Sequence, residues 1–391
     1  MNIVLLNWQF GENDPFSYIN SELKLRLEAH GCNVTIISTN GELAQNLFLL
    51  DYHKKIDVVI AHQGIGSNTR LASNGKLIWD ELNISLICLH SDHPSHAPQN
   101  HLADSVYVFH TYCIEDFAIY SNATFDKINP SIFLPPPSFY GPRLNPNPKC
   151  GDYFIFPKNL DSIEDTFLSW RSTLPRIFYL TLREASAAII ENYIHGSPLD
   201  HSEVLRKSIP NKSIELIIES STNMNLDKVW HYLHQQTDKI YRNAASELVL
   251  KDLADIPLHI NGRGWERFSS KASKHHKFST FNLASGGDYQ FDSLFGIIDV
   301  VPHKNFLHDR TLRALANRGG FLSNSGIFLS TIFKDLFYTG MGGDLRKKAE
   351  LVMTNPLNHI DQCQIFHNAL EASLPFEKFI TFIRSCSSKN R

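Results

Sequence analysis

Four loops concentrate the residue types that do chemistry, and each follows a run that predicts a buried strand. The stretch "HDRTLRALANRGGFLSN", residues 308–324, follows the apolar run Phe295–Val301. Asp309 is placed to cap a short helix there, with Leu312, Leu315 and Ala316 on its core face and Gly319-Gly320 ending it. Arg310 and Arg313 then stand in the first turns, where the positive end of the helix dipole repels cations. A bound anion resolves that conflict, because the free N–H groups of the first turn and Arg310 would both face it; His308 precedes the cap and joins this group. The alternative is that Arg310 pairs with a carboxylate such as Asp299.

The segment "HINGRGWE", residues 259–266, follows a second such strand. Gly262 and Gly264 allow close backbone approach or positive φ. Arg263 between them is suited to a phosphate, and Trp265 either stacks on a base or packs into the core. The full G-x-G-x-x-G fingerprint is not present. Lys271, Lys274 and Lys277 follow and read as a solvated face.

"HSDHPSH", residues 90–96, offers His90 and Asp92 as a general base or as sugar contacts. Its His-x-x-His spacing lacks a strong fourth metal ligand, so no metal is assigned; the bland alternative is a polar loop whose histidines bond to backbone. "NWQFGENDP", residues 7–15, mixes glycine, aromatic and acidic side chains, a combination that suits a sugar, with Glu12 and Asp14 as candidates. Equally, it is an ordinary strand-to-helix loop. No G-x-S-x-G and no G-x-x-x-x-G-K-[ST] occurs, which argues against a serine hydrolase and a P-loop kinase.

The elements that must position these loops alternate. Strands are expected at Ile3–Leu6, Val34–Ile37, Asp57–Ala61, Ile84–Leu89 and Val106–Phe109. Helices fall between them, one opened by Ser17 and stopped by Gly31, one through Leu43–Leu50 and one including Leu77, Ile78 and Leu82. Apolar strands separated by amphipathic helices imply a parallel sheet covered on both faces. The proline cluster from Pro135 to Pro148 marks an interdomain crossing. A new strand starts at Tyr153–Phe156, residues 161–250 are helix-rich, and strands return at Pro257–Ile260, Ile297–Val301 and Gly320–Leu322. Residues 326–386 read as helices with a turn at 340–343. Two α/β domains follow, with a cleft expected between them, and ligands in such sheets bind beyond the carboxyl ends of the strands.

Composition sets the bounds. A chain of 391 residues is too long for one core and suits two domains of roughly 150–200 residues. A net charge of −3 argues against a nucleic-acid binder. The six cysteines form no C-x-x-C pair and read as reduced, mostly buried thiols of a reducing compartment. No signal peptide and no membrane span is read, so a cytoplasmic protein is expected.

In order and spacing these motifs resemble the GT-B glycosyltransferases, in particular the bacterial glycosyltransferase-4-like and CgeB-like group. "ISLICLHSD" resembles the N-domain strand ending in a histidine, which places His90 near the donor sugar. "IPLHINGRGWE" resembles the C-domain strand and glycine loop beside the donor diphosphate. "HDRTLRALANRGGFLSN" resembles the element that closes the donor site. The resemblance implies two Rossmann-like domains facing a cleft. Residues 1–140 would be the acceptor side and 150–391 the nucleotide-sugar side, with a helical insertion at about 161–250.

The same resemblance implies a glycosyltransferase of bacterial surface polysaccharide synthesis, independent of metal and without a cofactor. It would move sugar from a nucleotide-sugar to a glycan or lipid-linked acceptor, with peripheral inner-membrane contact if the acceptor is lipid-linked. Gly262, Arg263, Gly264, Trp265, His308, Asp309, Arg310 and Arg313 would hold the donor. His90, Asp92, Glu12 and Asp14 would orient or deprotonate the acceptor. The chain departs from the pattern at Arg313, where many relatives carry a glutamate that bonds the ribose hydroxyls. An arginine cannot accept those bonds. Either the donor carries its own carboxylate, as a CMP-linked acidic sugar does, or another group holds the ribose, or the motif is displaced by a turn. An epimerase of similar architecture and a non-catalytic nucleotide- or carbohydrate-binding protein are the alternatives.

Overall fold

A computed structural model describes residues 1–8, 15–39, 42–113, 120, 131–132, 152–195, 201–221, 225–265, 273–279, 293–301, 307–324, 333–338 and 343–388. The chain is α/β, with two parallel sheets. It divides into two compact units, one of Met1–Gly141, Ala284–Tyr289 and Asn368–Arg391, the other of Pro142–Leu283 and Gln290–His367.

The first sheet takes β1 (Asn2–Asn7), β2 (Asn33–Ser38), β3 (Val58–His62), β4 (Ser85–His90), β5 (Val108–Tyr112) and the short β6 (Ser131–Ile132) in the order β2-β1-β3-β4-β5-β6. All pairs are parallel. β3 and β4 are buried along their whole length, as their unbroken apolar runs require of strands covered on both faces. Helices α1 (Pro15–Ala29), α2 (Leu43–Lys54) and α3 (Ile78–Leu82) connect the strands. Helix α1 begins at Pro15, so Ser17 lies inside it rather than capping it. The fifth strand begins later than its apolar pattern suggests, since Val106 is exposed and the pairing starts at Val108.

The second sheet runs β11-β10-β7-β8-β9, from β7 (Phe154–Pro157), β8 (Leu258–Asn261), β9 (His276–Ser279), β10 (Ile297–Asp299) and β11 (Phe321–Ser323). All its pairs are parallel too. In chain order this is 3-2-1-4-5 read from the β9 edge, so the order reverses at β7 and the crevice lies between β7 and β10. The helices α4 (Ile163–Thr173), α5 (Arg176–Ile194), α6 (His201–Ser208), α7 (Asn211–Glu219) and α8 (Leu226–Asp252) occupy the helix-rich stretch between β7 and β8. Their apolar faces share one core with the sheet, built on Phe154, Phe156, Leu182, Val229, Leu233 and Ile260.

The chain continues through α9 (Asp309–Ala316), α10 (Asp344–Thr354), α11 (Pro356–Ser373) and α12 (Phe376–Ser388). Helix α12 packs against β3 and β4, where Ser85 Oγ donates to the Cys386 carbonyl at 3.1 Å. The end of the chain thus belongs to the first unit rather than to a second domain running unbroken from 150 to 391. Among the described residues no helix is long and apolar enough to cross a membrane.

Candidate functional site

The crevice rule points to the residues that leave β7 and β10. Lys158 follows β7 directly. It is only 5% exposed, and among the described residues its ammonium forms no hydrogen bond or ion pair. Burial and the nearby Arg242 and Arg310 guanidiniums push its pKa well below the ordinary lysine range, against the opposite pull of Asp299 and Asp238.

Those neighbours are themselves paired. Arg242 Nε donates to Asp238 Oδ2 at 2.7 Å, and Arg310 lies 3.6 Å from Asp299 Oδ1. Among the described residues, Asp238 and Asp299 are thus engaged by the two arginines, and Lys158 has no carboxylate of its own. Asp299 ends β10, is 1% exposed, and accepts from Thr311 Oγ1 at 3.1 Å. Its backbone carbonyl accepts from Tyr338 Oη at 2.9 Å. One strand over, Asn324 braces the exit of β10. It accepts from Val301 N at 2.7 Å and donates to Val301 O at 2.9 Å and to Tyr241 Oη at 2.8 Å.

The glycine loop after β8 holds the backbone of Lys158. Lys158 N donates to Asn261 O, Leu160 N to Arg263 O, and Arg263 N to Asn159 Oδ1, all at 2.9 Å. A Cβ on Gly262 would collide with the Lys158 carbonyl, and one on Gly264, at φ +87°, with that of Leu160. The two glycines therefore serve backbone-to-backbone packing against the 158–160 turn. Trp265 is buried, donates from Nε1 to the Lys158 carbonyl at 2.6 Å and packs edge-on against Phe156. It is a core residue that fastens this turn, and it presents no face for a base to stack on. Arg263 is exposed beside it.

Helix α9 opens differently from the expectation. His308, not Asp309, is its N-cap, and Asp309 is the first helical residue. His308 Nδ1 lies 2.6 Å from Asp309 Oδ1 and 3.3 Å from Arg310 N. One nitrogen cannot donate to a carboxylate and accept from an amide at once, and the shorter contact favours donation to Asp309. Burial alone would raise the Asp309 pKa, but His308, Arg313 and Arg310 outweigh it and hold the carboxyl well below its usual range.

The two arginines of α9 are accounted for by carboxylates. Arg310 makes the Asp299 pair described above, the alternative weighed against an anion. Arg313, 6% exposed, lies 3.4 Å from Asp309 Oδ2 one turn back. Its place in the sequence therefore serves a partly buried i,i+4 pair.

In the first unit, His90 is 1% exposed and closes β4 inside a stack of rings. His101 lies 4.1 Å away by ring centroids, His110 5.2 Å and Tyr112 5.1 Å. Burial, then His101 and His110, push the His90 pKa well below 6.5. As placed, His90 faces other rings rather than an acceptor. Asp92 is exposed, two residues on, and its N–H donates to Gln63 Oε1. Glu12 and Asp14 lie outside the described residues.

Cys88, His90 and His110 bring three potential metal ligands within 4.8 Å of one another, a grouping the sequence spacing does not announce. His90 Nε2 and His110 Nδ1 stand 2.9 Å apart with ring centroids 5.2 Å apart. That is a head-on N–H···N bond, in which the proton of one ring occupies the lone pair of the other. The two facing nitrogens satisfy each other, while His110 Nε2 is buried without a hydrogen-bond partner. At the crevice of this sheet, between β1 and β3, Asn20 Nδ2 donates to Leu6 O at 3.0 Å and to Asn7 Oδ1 at 2.5 Å, and His62 Nε2 lies 3.1 Å from Asn20 Oδ1. Burial lowers the His62 pKa to about 4, so a neutral ring donates there.

Lys158 is the residue that sequence motifs missed. A lysine after "YFIFP" carries no signature, and its importance rests on β7 being central, which local pattern does not reveal. Comparison with family models, with curated proteins and with solved structures gives no match for this chain.

Proposed function

We propose that the chain is a GT-B-type glycosyltransferase that binds the phosphate groups of a nucleotide-sugar at the crevice between β7 and β10. The observation that carries this reading is the buried ammonium of Lys158, unpaired among the described residues, at the point where the strand order of the second sheet reverses. A phosphate there supplies the anionic partner that favours the protonated form of Lys158. It also accepts from the first-turn amides of α9, and exposed Arg263 lies on the neighbouring loop.

In the reaction, the acceptor hydroxyl oxygen forms a bond to the anomeric carbon. The bond from that carbon to the donor phosphate oxygen breaks, and the nucleotide leaves with the electron pair. Lys158 and the α9 amides stabilise the charge that grows on the departing phosphate, where preorganised donors count most. The acceptor proton passes to a carboxylate or to water; Asp92, exposed at the end of β4, and Glu12 and Asp14 are the candidates. The acceptor is a glycan or a lipid-linked sugar, in bacterial surface polysaccharide synthesis facing the cytoplasm.

Incubation with UDP-, GDP-, CDP- and CMP-linked sugars, with and without glycan acceptors, tests the reading through release of free nucleotide. Release that Lys158→Met abolishes is expected. Interconversion of sugars without nucleotide release would instead identify an epimerase. Nucleotide affinity without turnover would identify a binding protein.

A further inference from the structure

The first sheet carries a cluster that the proposed transfer does not use. Cys88 and His90 are two residues apart on β4, so their side chains share one face of the sheet. In the parallel register Cys88 lies beside His110 of β5, and His90 beside Tyr112, which puts all four side chains on that face. A thiol and two imidazoles converge there, one ligand atom from each within 4.8 Å of the others, and all three residues are buried.

The spacing suits a tetrahedral ion. Bonds of about 2.0–2.3 Å from one centre hold nitrogen and sulfur ligands roughly 3.3–3.6 Å apart. His90 Nε2 and His110 Nδ1 stand slightly closer than that, at 2.9 Å, and the widest pair of the three is no further apart than 4.8 Å. Small side-chain rotations bring all three onto one centre. The His90 ring is held from outside: His101 stacks on it with centroids 4.1 Å apart, and His101 Nδ1 lies 2.9 Å from Tyr112 Oη. Gly64 leaves the space that this ring fills, since a Cβ there would lie 2.9 Å from His90 Cε1. Outer contacts of this kind orient metal ligands. A thiolate with two imidazoles, and no carboxylate in the set, selects zinc and its softer neighbours over magnesium and calcium.

We propose that Cys88, His90 and His110 bind one zinc ion that ties β4 to β5. The ion takes the place of the proton shared between the two rings, and that proton moves to the outer nitrogen of its own ring. The Cys88 thiol releases its proton to solvent and binds as the thiolate, so one proton leaves per ion bound. Three protein ligands leave the fourth position to water. The site lies within the first unit and uses none of the nucleotide-binding residues, so it is independent of the glycosyltransferase reading.

Titration of the full chain, stripped with a chelator and desalted, tests it with Zn²⁺ and with Co²⁺ as a spectroscopic probe. One equivalent of zinc should bind in the presence of excess Mg²⁺. Cobalt should give the intense visible bands of a tetrahedral site and a near-ultraviolet thiolate-to-cobalt charge-transfer band. C88S should lose the charge-transfer band. H110N should bind zinc at least about a hundredfold more weakly, beyond what loss of an outer contact costs. Far-UV circular dichroism checks that both variants fold. X-ray absorption of the zinc-loaded wild type needs no variant, and should show one sulfur and two imidazole ligands. A wild-type chain that binds no zinc, or a zinc shell without sulfur, overturns the proposal. Equal zinc binding by wild type, C88S and H110N also overturns it and places the ion on other histidines.

Discussion

Lys158→Met removes the ammonium and keeps most of the side-chain volume, so it separates charge from packing. At a nucleotide concentration one hundred times its Kd, the wild-type chain gains about 2.7 kcal/mol of stability. At roughly 2–4 °C per kcal/mol, that is a melting shift of roughly 5–11 °C. A hydrogen bond to a charged group is worth about 1.5–3 kcal/mol, so its loss weakens binding roughly 10- to 150-fold. At the same concentration the variant then gains only about 0.3–1.3 kcal/mol.

Without ligand the effect reverses. The folded pKa of Lys158 lies below its unfolded value, because burial and the two guanidiniums disfavour the ammonium. Between those two values the unfolded chain binds more protons, so the contribution of Lys158 to stability is lost at neutral pH and regained as pH rises toward about 10.4. Urea melts at rising pH below about 10.4 should therefore show wild type gaining on K158M, at a slope of at most about 1.4 kcal/mol per pH unit. A variant that shifts with nucleotide as wild type does, and shows no slope difference, would refute the anion role of Lys158.

Other perturbations follow from the same geometry. Gly264→Ala forces a Cβ into the Leu160 carbonyl at a positive φ, and should cost more than about 3 kcal/mol in urea unfolding. Trp265→Ala should cost about 3–5 kcal/mol, whereas exposed Arg263→Ala should stay within about 0.5 kcal/mol and lower nucleotide affinity instead. Asp309 is held low by His308 and Arg313, so its stabilising share is present at pH 7 and lost as pH falls below about 4; Asp309→Asn should flatten the acid limb of a melting-temperature profile. His62, His231 and His359 are each lowered by burial to about 4. The unfolded chain takes up protons first between pH 6.5 and 4, and stability should fall across that window; proton NMR titration should find these rings neutral at pH 5.5.

The parallel strands were legible because a buried strand needs an unbroken apolar run, and Ile3–Leu6, Asp57–Ala61 and Ile84–Leu89 supply one. β9 was not, since "HKFS" is a half-buried edge strand with neither run nor alternation. The docking of α12 on the first sheet joins residues some three hundred positions apart, and no local pattern encodes that. At the site, the glycines and arginines drew attention by type, but type alone cannot tell whether a partner is a ligand or a neighbouring carboxylate. Arg313 had Asp309 four residues before it, a pairing the i,i+4 rule makes readable. Arg310 had Asp299 on a different strand. Lys158 became visible only when the strand order placed β7 beside β10.

The most direct measurement is calorimetric titration of the wild-type chain with UDP, GDP, CDP and CMP in two buffers of different ionisation enthalpy. Binding of at least one nucleotide is predicted, with net proton uptake as Lys158 gains its anionic partner, and K158M should bind more weakly without that uptake. No heat with any nucleotide, or binding that moves no proton and survives the substitution, would contradict the account.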